Sequence, residues 1–250
     1  MALQEELKAQ GNFLFKNRSY LPLIVLGIGL LVFIHKEYYE IETPNTWLSE
    51  GFEFLSLCIS LVGLTIRIFT VGHTPKNTSG RNTKDGQIAD ELNTTGMYSM
   101  VRHPLYLGNF FMWFGVAMLT ENFWFIIAFV LFYVSYYMRI MYAEESFLRA
   151  RFGPIYMEWA ETVPAFIPTL KNYKAPKYPF SIKKVLKKEK NGFCAVFLLF
   201  WVFDVVGRLC QKEPFESEVK FWFYSAITAT IIYFILKIMK KRNMLNEPHR

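Results

Sequence analysis

The sequence predicts an all-α, polytopic membrane protein with about six transmembrane helices and both termini on the cytoplasmic side. Three observations carry that prediction. The 250 residues are 52% hydrophobic, 18% aromatic and only 20% charged, whereas a soluble domain usually carries about a quarter charged residues. Six runs nearly free of charge recur along the chain. The basic residues between those runs alternate in density: the segments 1–18, 73–104, 143–192 and 237–250 hold 22 Lys and Arg, while 35–51, 120–122 and 210–218 hold two. That asymmetry is the positive-inside pattern, and it puts the basic side in the cytoplasm.

The first run, 19–34, is bounded by Arg18 and by His35 and Lys36. The second, 54–72, is interrupted by Arg67 alone. The third and fourth, 104–120 and 122–138, are separated only by Glu121, so they read as a helical hairpin with a very short outer turn. The fifth, 191–207, contains Asp204, and the sixth is 221–236. Each lies near the lower length that spans roughly 30 Å of hydrocarbon at 1.5 Å per residue. Flanking Lys, Arg and Tyr can extend them by snorkelling. In lipid the backbone must satisfy its own hydrogen bonds, so the runs are helices. Glu5 and Glu6 ahead of the first run argue against a cleaved signal peptide. Asp204 and Arg208 stand four apart and are expected to pair on one helix face.

Several function classes drop out. Cys58, Cys194 and Cys210 are odd in number and sit in or beside apolar runs, so they build no disulfide framework. No His, Cys or carboxylate spacing resembles a metal site, and no metal is expected. Glycine-rich phosphate loops are absent. The net charge of +7 does not indicate nucleic acid, because the Lys171–Lys190 cluster borders a membrane span and is expected to lie against anionic headgroups. Asn17, Asn77 and Asn93 open N-x-[ST] triplets on the cytoplasmic side, where they carry no glycosylation argument. The chain divides into an N-terminal two-helix region with its loop (1–91), a central hairpin with polar motifs (92–170), and a basic loop with two further helices (171–250).

The segment 92–109, LNTTGMYSMVRHPLYLGN, is the most unusual polar stretch. Pro104 suits the first turn of a helix, where its missing N–H goes unneeded. The open N–H groups of that turn favour an anionic group. Arg102 and His103 stand beside it, Tyr98 and Tyr106 offer aromatic faces, and Gly108 one turn in lets a flat ligand approach the backbone. Residues of these types also serve as plain interfacial anchors. A second cluster, Arg139, Glu144 and Glu145, lies where the fourth run ends. The hairpin brings the two clusters to the same membrane face. Five residues turn an ideal helix by about 140°, so Arg139 and Glu144 point to different faces, and a site using both must wrap the helix end.

At these residues the sequence resembles the isoprenylcysteine carboxyl methyltransferase and phospholipid methyltransferase family. TGMYSMVRHPLYLGN matches its G-x-Y-x-x-x-R-H-P-x-Y-x-G pattern, and EESFLRARFGPIYMEWAETVPAFIP matches E-E-x-x-L, F-G-x-x-Y and V-P-x-x-x-P. The resemblance runs from about Leu92 to Pro168. It implies an integral membrane methyltransferase using S-adenosylmethionine held in a helical pocket. It also implies that Tyr98, Arg102, His103, Pro104, Tyr106, Gly108, Glu144 and Glu145 line the donor site. Arg139 and Glu145 are the implied catalytic residues, Arg139 to orient an acceptor and Glu145 or Glu144 to take a proton.

The expected acceptor is a lipid or lipid-linked molecule entering from the bilayer. The favoured nucleophile is an anionic oxygen, a prenylcysteine carboxylate or a lipid or lipid A phosphate. A phospholipid amine is the next choice. The site is expected to face the cytoplasm of a bacterial inner membrane. A membrane NADPH-dependent reductase and a non-enzymatic membrane protein are the readings from other classes. Saturable NADPH binding without donor binding marks the first, and full cellular function after loss of His103 or Glu144 marks the second.

Overall fold

The computed structural model describes residues 2–39, 46–76, 78, 82–83, 86–211 and 220–247. Residues 40–45 and 212–219, within two of the connections between apolar runs, lie outside the described residues, as does Asn77. The helices are α1 (Leu3–Asn17), α2 (Leu21–Tyr39), α3 (Thr46–Gly72), α4 (Pro104–Met118), α5 (Phe123–Phe152), α6 (Pro154–Thr162), α7 (Ile182–Gln211) and α8 (Lys220–Lys241). Among the described residues the strand structure is a two-residue antiparallel hairpin, Asn82–Thr83 with Gly86–Gln87. A single 3-10 turn, Gly96–Ser99, precedes α4.

All six apolar runs fold as helices. Five of them, α2, α3, α5, α7 and α8, are long and apolar enough to cross a membrane. The third run is shorter than expected. α4 has 15 residues, a rise of roughly 22 Å, because the chain turns at Leu119 to reach the hairpin. Asn122 then caps α5, its side chain accepting from Phe125 N at 2.9 Å. The structure also adds two helices that hydropathy did not reveal, α1 and α6. α1 lies along α5, where Gly11 leaves room for the Arg139 carbonyl and the Ala143 side chain. α5 and α6 meet at Gly153, whose φ of +55° is one that L side chains rarely adopt, and Pro154 starts α6.

α3 and α4 form the most extensive helix pair. A Cβ on Gly63 would meet the Gly108 carbonyl, and one on Gly115 would meet Ser60 and the Ser56 carbonyl. Ser60 Oγ donates across the gap to Met112 O at 3.0 Å. Lipid offers no hydrophobic drive between helices, so small residues that allow backbone approach and interhelical hydrogen bonds hold such a pair. Two aromatic-rich cores flank it. One gathers Phe15, Tyr106, Phe129, Tyr133, Tyr136 and Tyr137 around α4 and α5. The other gathers Phe33, Leu57, Val116, Phe200, Phe203 and Trp222 around α7. Asp204 and Arg208 pair as expected, at 3.0 Å.

The lysine cluster behaves less uniformly than its sequence suggested. The Lys184 side chain is buried and donates to the Pro75 carbonyl at 2.9 Å and to Thr74 Oγ1 at 3.0 Å. It thus serves the chain just beyond the last turn of α3 rather than a headgroup. Lys190 is also buried, with its ammonium on the Lys187 carbonyl at 3.0 Å.

Candidate active site

The site is assembled from the loop before α4, the C-terminal half of α5, and the irregular segment after α6. That segment is tied to the loop by its backbone. Arg102 N donates to Pro164 O at 2.9 Å, His103 N to Ala165 O at 3.2 Å, and Thr169 N to Met100 O at 3.0 Å. Trp159 of α6 donates to Tyr98 O at 3.1 Å. The two motifs that are separate in sequence are therefore one structural unit.

Arg102 is its pivot. Nη1 donates to the carbonyls of Ala160 and Val163, at 2.6 and 3.1 Å. These lie at the end of α6, where helical carbonyls lack partners and a cation is favourable. Nε donates to Glu145 Oε1 at 2.9 Å. The same oxygen lies 2.9 Å from His103 Nε2, while His103 Nδ1 is 3.6 Å from Glu144 Oε2. Tyr106 donates to that Glu144 oxygen at 2.8 Å and its ring stacks on His103, centroids 5.5 Å apart. Burial alone would lower the His103 pKa, but its hydrogen bonds to Glu144 and Glu145 outweigh that and raise it above the ordinary 6.5. Burial pushes the Tyr98 hydroxyl well up, so it stays a neutral group.

This cluster borders a cavity of about 660 Å³, within the roughly 300–1,000 Å³ common for small-molecule sites. Of the residues that the resemblance implied for the donor site, Tyr98, Arg102, His103, Pro104, Tyr106 and Glu144 line it. Three expected residues do not. Glu145 sits behind the wall, engaged by Arg102 and His103. Gly108 faces α3, where a Cβ would meet Arg67 and the Gly63 carbonyl, so its missing side chain serves helix packing and not ligand approach. Arg139 points away toward α1 and along its own helix, to Gln10 Oε1 at 3.0 Å and the Ser135 carbonyl at 2.7 Å. The reason is the helical rotation between positions 139 and 144; the helix end does not wrap to bring them together.

Sequence reasoning missed other lining residues. Arg67 of α3, Asn109 of α4, Tyr137 of α5 and Glu189 of α7 all border the cavity. Arg67 donates to both Glu189 oxygens, at 2.7 and 2.9 Å, and to Asn109 Oδ1 at 2.6 Å. The available signal was Glu189 itself, the one acid in the segment 171–190.

The comparisons agree with this architecture. The family model described as phospholipid methyltransferase matches residues 55–155. The chain is 29% identical over 168 residues to the nickel-cobalt-cadmium resistance protein NccN of Alcaligenes xylosoxydans xylosoxydans, covering 66% of this chain and 70% of that protein. It is 30% identical over 171 residues to the cobalt-zinc-cadmium resistance protein CzcN of Cupriavidus metallidurans, covering 67% and 71%. It is 28% identical over 172 residues to a protein-S-isoprenylcysteine O-methyltransferase of Tribolium castaneum, covering 69% and 60%. No solved structure matches significantly. With both motifs joined at one cavity, the chain belongs to the isoprenylcysteine carboxyl and phospholipid methyltransferase family of integral membrane methyltransferases.

Proposed function

We propose that the protein transfers a methyl group from S-adenosylmethionine to a lipid or lipid-linked acceptor, with an anionic oxygen the favoured nucleophile. One observation carries the reading: Glu144, held by Tyr106 and His103, borders a cavity whose other walls include Met112, Trp113, Val116, Val196 and Leu199. A charged end and an apolar end in one space suit a water-soluble donor and a greasy acceptor.

The residues fit the donor. A carboxylate suits a sulfonium, an ammonium or a ribose diol, and the Tyr98, Tyr106 and Tyr137 rings offer faces to a cation or a flat base. When bound, the donor supplies an electrophilic methyl group on sulfur. Glu144 holds the cationic part, and the Arg102–Glu145–His103 cluster keeps Glu144 and the start of α4 in place. The apolar walls partly dehydrate the nucleophile, and the rigid helix ends fix its line of approach. An oxyanion needs no base. An amine must lose a proton, and Glu144, one of two carboxylates bordering the cavity, would take it. Relatives named protein-S-isoprenylcysteine O-methyltransferase favour a carboxylate acceptor. The density of Lys and Arg in the connections supports a cavity mouth facing the cytoplasm, in a bacterial case at the inner membrane.

The test is incubation of membranes bearing the chain with donor labelled in its methyl group, followed by separation of lipids from proteins. Label in a lipid or a lipid-linked fraction, absent from control membranes, is the expected result. Equal labelling of both membranes overturns the proposal.

A further inference from the structure

We infer that Arg67 is the seat for the acceptor's head group, and that this head group is an oxyanion carried on an apolar chain. The inference rests on the methyl-transfer reading and assigns a role that the sequence motifs had pointed to at Arg139.

The first argument is donor arithmetic. A guanidinium has five N–H groups. Nε and Nη2 each give one to Glu189, and Nη1 gives one to Asn109. Among the described residues these three bonds leave one N–H on each terminal nitrogen, a pair suited to two oxygens of a carboxylate or phosphate. Glu189 and Asn109 come from different helices, α7 and α4, so the fork is held from two sides before any ligand arrives.

Position supplies the second argument. Along α4, Asn109 lies roughly 9 Å below His103 and Val116 roughly 20 Å below it, by helix rise. The cavity therefore runs from Glu144 and His103, past Arg67 and Asn109, to Met112, Trp113, Val116, Val196 and Leu199. An amphiphile with its chain among those apolar residues presents its head at Arg67, on the side facing Glu144.

The third argument is charge. Arg18, Arg67, Arg102 and Lys188 line the cavity against the carboxylates Glu144 and Glu189. With Glu145, the partner of Arg102, counted as well, these cations exceed the carboxylates by one, which favours an anion over an amine. Stability alone is a poor reason for the Arg67–Glu189 pair. Glu189 is only 5% exposed and Arg67 21%, and buried ion pairs rarely stabilise more than an apolar pair of similar volume. The family match ends at residue 155, so Glu189 comes from a part of the chain outside it.

The experiment uses the full chain in a neutral detergent and follows thermal unfolding with four probes: S-adenosylhomocysteine, dodecyl phosphate, N-acetyl-S-farnesylcysteine and dodecylamine. The two anionic probes are expected to raise the midpoint of the wild type, and the stronger of them names phosphate or carboxylate as the source of the oxyanion. Dodecylamine is expected to leave the midpoint unchanged. Arg67→Gln should weaken the anionic probes at least tenfold while the S-adenosylhomocysteine shift persists, which a merely structural role would not produce. Anionic probes that bind Arg67→Gln as well as wild type overturn the assignment. So does dodecylamine binding the wild type as tightly as dodecyl phosphate, a result that needs no variant. Failure of S-adenosylhomocysteine to shift the wild type instead sinks the methyl-transfer reading, and the amphiphile comparison still decides whether the site selects anions.

Discussion

His103 Nε2 lies 2.9 Å from Glu145 Oε1 across 42 residues of sequence. The contact joins the start of α4 to the C-terminal half of α5, and Arg102 shares the same carboxylate. Glu145 thereby acts as the post that fixes both residues before Pro104.

Removing the post should therefore cost stability. Glu145→Ala strips the carboxylate from Arg102 and His103, whose side chains are 17% and 5% exposed. The expected loss is about 2–3 kcal/mol, the range for a partly buried charged group left without its partner. Thermal unfolding in detergent measures it. A midpoint within error of wild type would show that the cluster holds nothing together.

Glu144 and Arg139 should separate cleanly. Glu144 borders the cavity, so Glu144→Gln should lower donor affinity roughly tenfold, about 1.4 kcal/mol. Arg139 bonds to Gln10 and Ser135, so Arg139→Gln should change donor affinity and methyl transfer less than about twofold, within the small effects of surface substitutions. Donor binding by calorimetry and incorporation of labelled methyl check the pair. Loss of transfer in Arg139→Gln with donor binding intact would return that residue to the chemistry.

The cluster should also be pH-sensitive. The His103 pKa is raised in the folded protein by its hydrogen bonds to Glu144 and Glu145. The folded state then holds the proton more tightly than the unfolded state. That stabilisation is complete below the ordinary 6.5 and disappears as pH climbs through the raised value. The unfolding midpoint should fall as pH rises from 6.5 through the raised value, and His103→Gln should flatten that part of the profile. A fall of equal size in the variant would assign it to another group.

The close approach of α3 and α4 predicts a sharp contrast between two glycines. Gly115→Ala places a methyl against Ser60 and the Ser56 carbonyl and should cost about 1–3 kcal/mol by overpacking. Gly27→Ala meets nothing within 4 Å and should be neutral or slightly stabilising. Unfolding midpoints of the two variants decide it, and equal midpoints would show that the interface relaxes freely.

Hydropathy and charge alternation in the sequence were enough for the all-helical membrane class, the six apolar runs and the α4–α5 hairpin, because lipid permits few backbone arrangements. The two motifs were legible too, since RHP and EE are polar groups placed where apolar residues would otherwise end a span. Rotation about the helix axes was not legible. Hydropathy reports how far a residue lies along a span and hardly at all which neighbour it faces. So Arg139 could be assigned to the site of Glu144 only by a pocket wrapping the helix end, until the bundle showed it facing α1, and Gly108 could be read as a ligand platform until α3 filled its place. α1, polar enough to escape a hydropathy search, became visible only through Gly11 and Phe15 packing on α5. Arg67 and Glu189, 122 residues apart, meet only because α3 and α7 pack together. Pairings between distant helices depend on side-chain packing across the whole bundle, and no local pattern in the chain records them.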